Sequence, residues 1–293
     1  MISNTRGNKT YRIIITSDVH YYQRDWYGVP VGDRVQRWVD SILEEHKREP
    51  IDLLIYAGDM SLDHYLDKGA YTAKGISEAN IFMKRYASQL KGVIPAFFAP
   101  GNHELYSDGQ WMEYTGNGRY GAVALEDDLF IILDTFRTSL EPNFDRQLAA
   151  YTPVDVGFIK EQMALYPKHR VWLVAHYFDA RNESEEFKAL LRNNERIKGL
   201  FSGHSHQASV VPLGKEFGDL SVAQTGNFSY SYFTAYPTGN VEDVLNSFWG
   251  YRELIISQTH AQSSYILADS GEFSIGEEIY SIQRRKLNTV QYY

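Results

Sequence analysis

Five short polar clusters, each following a short apolar run, carry side chains of the kind that hold divalent cations. Asp18-Val19-His20 follows Tyr11–Ser17, and Gly58-Asp59 follows Ile51–Ala57. Gly101-Asn102-His103-Glu104 follows Val93–Ala99, His176 follows Arg170–Ala175, and Gly203-His204-Ser205-His206 follows Ile197–Ser202. Five of the nine histidines fall in these clusters, a bias that surface histidines would not show. Imidazole and carboxylate together suit zinc, manganese and iron. Two ions roughly 3.5–4 Å apart need a shared ligand, and one aspartate can bridge them.

The spacings fit that chemistry. On an extended exit from a strand, alternate residues share a face, so Asp18 and His20 can point to one ion, as can His204 and His206. Glycines before Asp59, Asn102 and His204 permit sharp turns and close backbone approach. The chain contains no cysteine, which excludes disulfides, thiolate metal sites and cysteine nucleophiles.

The elements that must position these groups are legible as apolar runs. Tyr11–Ser17, Ile51–Ala57, Val93–Ala99, Gly121–Leu125, Leu129–Thr135, Arg170–Ala175 and Ile197–Ser202 are rich in Ile, Val, Leu and Phe, as buried strands are. Between them lie helical patterns: Val35, Trp38, Val39, Ile42 and Leu43 with Asp33 placed to cap, and Ile76, Ala79, Met83, Tyr86 and Leu90. Val154–Leu165 and Glu183–Asn193 also read as helices. Strand–helix alternation predicts an α/β layered fold. In open α/β sheets ligands bind beyond the carboxyl ends of strands, so five strands deliver candidate ligands to one edge.

The last third changes character. Ser209–Leu213, Ser221–Gln224, Tyr251–Ser257, Ser264–Ala268 and Glu278–Gln283 read as strands without intervening helices, predicting a second, mostly antiparallel sheet. With no linker, repeat or low-complexity tract, residues 1–293 are expected to form a single domain. Tyr21–Gly32, Leu105–Arg119, Arg137–Thr152 and Phe228–Phe248 read as long loops, rich in aromatics such as Tyr22, Trp26, Tyr230, Tyr232, Phe233 and Tyr236.

The ordered set Asp18-x-His20, Gly58-Asp59, Gly101-Asn102-His103-Glu104, His176 and Gly203-His204-x-His206 resembles the five motifs of calcineurin-like metallophosphoesterases. The resemblance spans about Tyr11 to His206. It implies two mixed β-sheets packed as a sandwich and flanked by helices. It also implies that Asp18, His20 and His206 bind one ion, that Asn102, His176 and His204 bind a second, and that Asp59 bridges both. The expected cofactors are two divalent or mixed-valence ions of manganese, zinc or iron. The implied reaction is hydrolysis of a phosphomonoester or phosphodiester by a hydroxide held between the ions. His103 is expected to steady the phosphoryl group and protonate the leaving oxygen. A non-catalytic scaffold on the same fold is the alternative, although such scaffolds usually lose ligands that are all present here.

Two departures from the family pattern stand out. Leu62 occupies the position where purple acid phosphatases place an iron-binding tyrosine, which argues against a ferric–tyrosinate centre. His176 is followed by Tyr-Phe-Asp rather than x-Pro. Glu104 reads as a turn-stabilising neighbour of the ligands rather than a ligand. His46, His64, His169 and His260 read as ordinary surface or core histidines, and Asp63 as part of a solvated loop. Tyr21, Tyr22, Trp26 and the 230–236 cluster could wall a pocket and stack on a ring, or simply pin their loops. Arg24 and Arg119 are weighed as phosphate clamps and placed at the surface.

Bulk properties narrow the rest. Hydrophobic residues make up 43% and charged residues 23%, an ordinary globular mix, with a net charge of −8. Without a basic block beyond Arg284-Arg285-Lys286, long nucleic acid is disfavoured as a partner. A small or mid-sized phosphoester drawn by bound cations is the expected substrate. No signal segment or long apolar stretch is evident, so no membrane association and a cytoplasmic location are expected. Oligomeric state is left open.

Overall fold

The structure is a computed structural model that describes residues 10–22, 25–26, 28–62, 78–137, 149–230, 248–268, 271–275, 278–283 and 285–293. Asp63, His64, Arg24, Ile76, Tyr232, Phe233 and Tyr236 lie outside the described residues.

Two six-stranded mixed sheets face each other. The first has the order β14-β11-β10-β1-β2-β3, where β1 is Tyr11–Thr16, β2 Leu53–Ala57, β3 Ala96–Ala99, β10 Gly250–Ile256, β11 Ala261–Leu267 and β14 Lys286–Tyr292. The second has the order β4-β5-β6-β7-β9-β8, where β4 is Gly121–Leu125, β5 Asp128–Leu133, β6 Arg170–Ala175, β7 Ile197–Ser202, β8 Val210–Pro212 and β9 Ser221–Gln224. β12 (Gly271–Ile275) and β13 (Glu278–Ile282) form a separate hairpin. β1, β2 and β3 run parallel, as do β5, β6, β7 and β9.

The two-residue period of the strands builds the layers. Ile13, Ile15, Leu53, Ile55, Phe130, Ile132, Trp172, Val174 and Phe201 point between the sheets and form the central core. Their neighbours point outward. Ile14, Leu54, Tyr56 and Phe98 pack under helix α1 (Val31–Arg48) and the helical run 78–91, whose middle turn, Met83–Ala87, is π-helical. Leu129, Ile131, Val171, Leu173 and Leu200 pack under Val156–Leu165 and Glu185–Arg192. Both faces of the central strands are therefore buried, which is why they read as continuous apolar runs rather than as alternation.

Several sequence expectations need correction. Apart from the β12–β13 hairpin, the strands of the last third do not make a sheet of their own. β8 and β9 extend the second sheet, with β9 parallel to β7, while β10, β11 and β14 extend the first. Asp33 does not cap α1; Pro30 precedes the helix and Asp33 sits in its first turn, where its charge favours the helix dipole. The expected loop Leu105–Arg119 contains a helix, Asp108–Thr115, closed by a reciprocal capping box between Ser107 and Gln110 and by left-handed Gly116. Strands Gly271–Ile275 and Lys286–Tyr292 also go beyond the sequence reading. No helix among the described residues is long and apolar enough to cross a membrane.

Candidate metal centre

The carboxyl ends of β1, β2 and β3 in one sheet and of β6 and β7 in the other meet at one edge of the sandwich. Past the strands, the exits of β1 and β2 stay tied together: Asp18 donates its N–H to Gly58 O at 3.0 Å, and His20 to Asp59 O at 3.1 Å. These exits are not extended, as the sequence reading supposed. Asp18, His20, Asp59, His204 and His206 all adopt left-handed backbone, with φ of 54°, 45°, 59°, 68° and 55°. Such conformations cost energy for residues with a Cβ, and they cluster at functional sites. Val19 turns into the core between them, so Asp18 and His20 still face the same way.

The glycines act as expected. A Cβ on Gly58 would lie 2.5 Å from His176 Nδ1, and one on Gly203 would lie 2.6 Å from Asp18 Oδ2. Only a residue without a side chain lets these backbones pass.

Two sets of donor atoms result. In the first, His20 Nε2 and His206 Nε2 are 3.0 Å apart, and Asp18 Oδ1 is 3.6 Å and 3.3 Å from them. In the second, Asn102 Oδ1 is 3.0 Å from His176 Nε2 and 2.8 Å from His204 Nδ1, and the two ring nitrogens are 3.3 Å apart. Asp59 Oδ2 lies between the sets, 3.7 Å from His20 Nε2 and 3.2 Å from His176 Nε2. Ligand atoms on one ion with bonds of about 2.0–2.2 Å stand about 3.3–3.5 Å apart. The observed separations bracket that value.

Outer partners aim these atoms. His176 Nδ1 meets Ala57 O at 2.7 Å, and His206 Nδ1 meets Tyr230 O at 2.7 Å. A carbonyl can only accept, so each Nδ1 carries a proton and each Nε2 is the nitrogen turned toward the centre. Asp18 Oδ2 accepts from the Ser17 hydroxyl and from His204 N–H, whereas Oδ1 is buried without a hydrogen-bond donor. Asp59 Oδ1 accepts from His103 N–H at 3.1 Å, leaving Oδ2 for the centre. An orphaned carboxylate oxygen among converging imidazole lone pairs fits cations and little else.

Electrostatics agree. Burial works against charge on Asp18 and Asp59, yet the surrounding histidines hold both carboxyls well below their usual range. Burial also opposes charging His176, but Asp59 beside it raises that imidazole to about 10. Burial lowers His20, lowers His204 to about 4 and lowers His103 to about 3. Without cations the two carboxylates thus hold protons on particular histidines.

Other residues singled out from sequence fall as follows. His103 lies beside the first set and Asp59, its Nε2 3.8 Å from Asp59 Oδ2 and its ring 5.2 Å from that of His20. Glu104 is fully buried and accepts from the backbone N–H of Asp59, Met60 and Gly101 at 2.8, 2.9 and 2.5 Å, so it shapes the turns rather than facing the centre. Burial and the Asp59 charge push its carboxyl up to about 8, against the pull of those donors. Arg119 is neither a clamp nor a surface residue: it is buried, with Nε 2.6 Å from Asp134 Oδ2 and Nη1 on Tyr106 O. His46 and His260 take part in local turns.

Tyr21 and Tyr22 are buried, and Tyr21 packs against Tyr86. Tyr230 packs its ring 4.3 Å from His206 and 4.8 Å from Trp26. On the other side Tyr177 lies 4.6 Å from His204, and Phe136 lies 5.6 Å from His176. Tyr177 and Phe136 carried no motif, although Tyr177 directly follows His176. Tyr56 also went unmarked; its hydroxyl links Val19 N–H to Asp59 O beneath the centre.

Residues 11–208 match the calcineurin-like phosphoesterase family. No curated protein sequence matches the chain. Among solved structures, the purple acid phosphatase PPD1 from yellow lupin (Lupinus luteus) seeds is similar with a TM-score of 0.55 and 12% identity, over 97% of this chain and 54% of that one. The chain thus spans about half the length of the lupin protein. GAP50, the anchor in the inner membrane complex of Plasmodium, is similar with a TM-score of 0.54 and 14% identity, over 94% of this chain and 90% of that one. At such identities the likeness is one of fold. The family match covers all five motifs, and their His and Asp side chains converge in a cluster suited to two metal ions: the chain belongs to the calcineurin-like phosphoesterase family.

Proposed function

We propose that the protein hydrolyses phosphomonoesters or phosphodiesters of small or middle size, with two metal ions in this cluster. Asp18, His20 and His206 hold one ion, Asn102, His176 and His204 the other, and Asp59 both. The observation that carries this reading is the position of Asp59 Oδ2, within 3.7 Å of a histidine nitrogen from each set. Bound divalent ions lower the pKa of water and neutralise phosphoryl charge.

The chain supplies the rest. Only Asp18 and Asp59 bring negative charge among the proposed ligands, so two divalent cations leave the loaded centre positive. Local attraction for a phosphoester follows despite the acidic protein. Burial keeps His103 neutral, so its N–H can donate to a phosphoryl oxygen. A phosphate anion beside it favours the imidazolium, which takes its added proton from solvent, and that proton would pass to the leaving oxygen.

Turnover of a chromogenic phosphomonoester and diester with manganese, zinc or iron tests the reading. Metal-dependent hydrolysis that disappears in Asp59→Ala supports it. A chain that binds metal but hydrolyses neither ester would favour the alternative, a scaffold on this fold.

A further inference from the structure

Arg34 lies in the first turn of α1 and is fully buried beneath the first donor set. Its Nη1 donates to Val19 O at 2.5 Å and to Phe228 O, and its Nη2 donates to His20 O at 3.1 Å. The first and third of these carbonyls belong to the left-handed loop that presents Asp18 and His20. The second belongs to the segment after β9. That segment holds His206 twice: Asn227 Nδ2 donates to His206 O at 3.0 Å, and Tyr230 O accepts from His206 Nδ1. Phe228 N–H in turn donates to Asp18 O at 3.2 Å. One guanidinium therefore ties the loop that supplies Asp18 and His20 to the segment that holds His206 in place, about two hundred residues further along the sequence.

The second donor set touches this loop where His204 N–H donates to Asp18 Oδ2, and is otherwise held by other means. His176 is pinned to Ala57 O, and Asp59 and Gly101 to the Glu104 carboxylate. Arg34 makes no hydrogen bond to the backbone of Asn102, His176 or His204 among those described. A planar fork of N–H donors is the group that can collect several carbonyls at once; a lysine reaches them only as a point charge.

We propose that Arg34 is a positioning residue that preorganises one of the two ion sites, that of Asp18, His20 and His206, and leaves the other largely independent. The inference rests on the two-metal reading above. Partners outside the ligands commonly change metal affinity roughly tenfold to a hundredfold. Arg34→Met should therefore weaken one of two manganese-binding steps by about that factor and spare the other. Arg34→Lys should fall between Arg34→Met and the native chain.

The test is manganese titration of the full-length chain by calorimetry, with electron paramagnetic resonance of the same samples. Circular dichroism confirms that each variant is folded. The native chain should bind two manganese ions with a spin-coupled spectrum. At metal concentrations that fill only the tight step, Arg34→Met should hold one ion and give the six-line spectrum of isolated manganese. Two unchanged binding steps with a coupled spectrum in both variants would overturn the proposal. Equal weakening of both steps would overturn it too, because Arg34 would then support the fold at large. Should Arg34→Met not fold, Arg34→Lys alone decides: one weakened step supports the proposal, and none or two overturn it. A native chain that binds no manganese would defeat the two-metal reading instead, a result distinct from these.

Discussion

Gly101 passes so close to Asp59 that a Cβ built on it would lie 2.2 Å from Asp59 Oδ1 and 2.7 Å from its backbone nitrogen. The turn after β3 and the turn after β2 are thus in van der Waals contact at the one carboxylate that faces both donor sets. Gly101→Ala should displace that carboxylate and cost about 1–3 kcal/mol of stability through overpacking. Thermal unfolding together with the bound-metal content checks this. An alanine variant with unchanged melting temperature and full metal content would show that the turns can separate freely.

His103→Ala should leave metal binding nearly intact and slow turnover. Its backbone N–H, which survives the substitution, is the atom that contacts Asp59 Oδ1. Loss of a proton donor typically costs about 10²–10⁴ in rate. The effect should grow as the leaving group becomes more basic, because a poor leaving group needs the proton most. A series of aryl phosphates of rising phenol pKa measures that slope. An emptied metal centre in His103→Ala would mean that the side chain is a ligand.

Metal binding should release protons and strengthen with rising pH. In the metal-free chain burial opposes charge on His176, but Asp59 raises it from its ordinary 6.5 to about 10. An imidazolium cannot ligate, so an incoming cation must displace that proton. Calorimetric enthalpies measured at pH 7 in buffers of different ionisation enthalpy should therefore vary in proportion. The same raised pKa has a consequence for stability. The contribution of the charged His176 is fully present below about pH 6.5 and is lost as pH rises through about 10. Metal-free protein should lose melting temperature over that window, while metal-loaded protein, with no proton on His176, should not share that loss.

Tyr230→Ala should weaken metal binding and lower turnover of ringed and minimal phosphoesters alike. Its ring packs on His206 and Trp26, and although the variant keeps the backbone carbonyl that orients the His206 proton, it removes the ring that anchors that segment against His206. A rise in KM confined to substrates with an aromatic leaving group would instead show that this ring stacks on the substrate.

Much of the centre was legible because donor chemistry is local. Asp-x-His, Gly-Asp, Gly-Asn-His-Glu and Gly-His-x-His name their own ligand types, and the apolar runs before them mark the strands that end there. Four strands, Gly121–Leu125, Arg170–Ala175, Ile197–Ser202 and Ser221–Gln224, fall where the pattern places them, since runs buried on both faces leave little freedom at their ends. The helix Asp108–Thr115 had a local signal as well, Ser107 three residues before Gln110, overshadowed by the glycines and aromatics around it. Arg119 was misread because its partner, Asp134, is set opposite it by the register of the β4–β5 hairpin, which the apolar runs alone do not reveal.

The residue types of the centre, their order and the strands that carry them were determined by sequence alone, because side-chain chemistry and two-residue periodicity are properties of short segments. Tertiary structure decided which sheet each late strand joins, which ring nitrogen each histidine presents, and that the exits carrying Asp18, His20, Asp59, His204 and His206 are left-handed turns. It also decided that His20 and His206, 186 residues apart, stand 3.0 Å from each other. Separations of that kind depend on how whole layers pack, and no local pattern encodes the sum of those contacts.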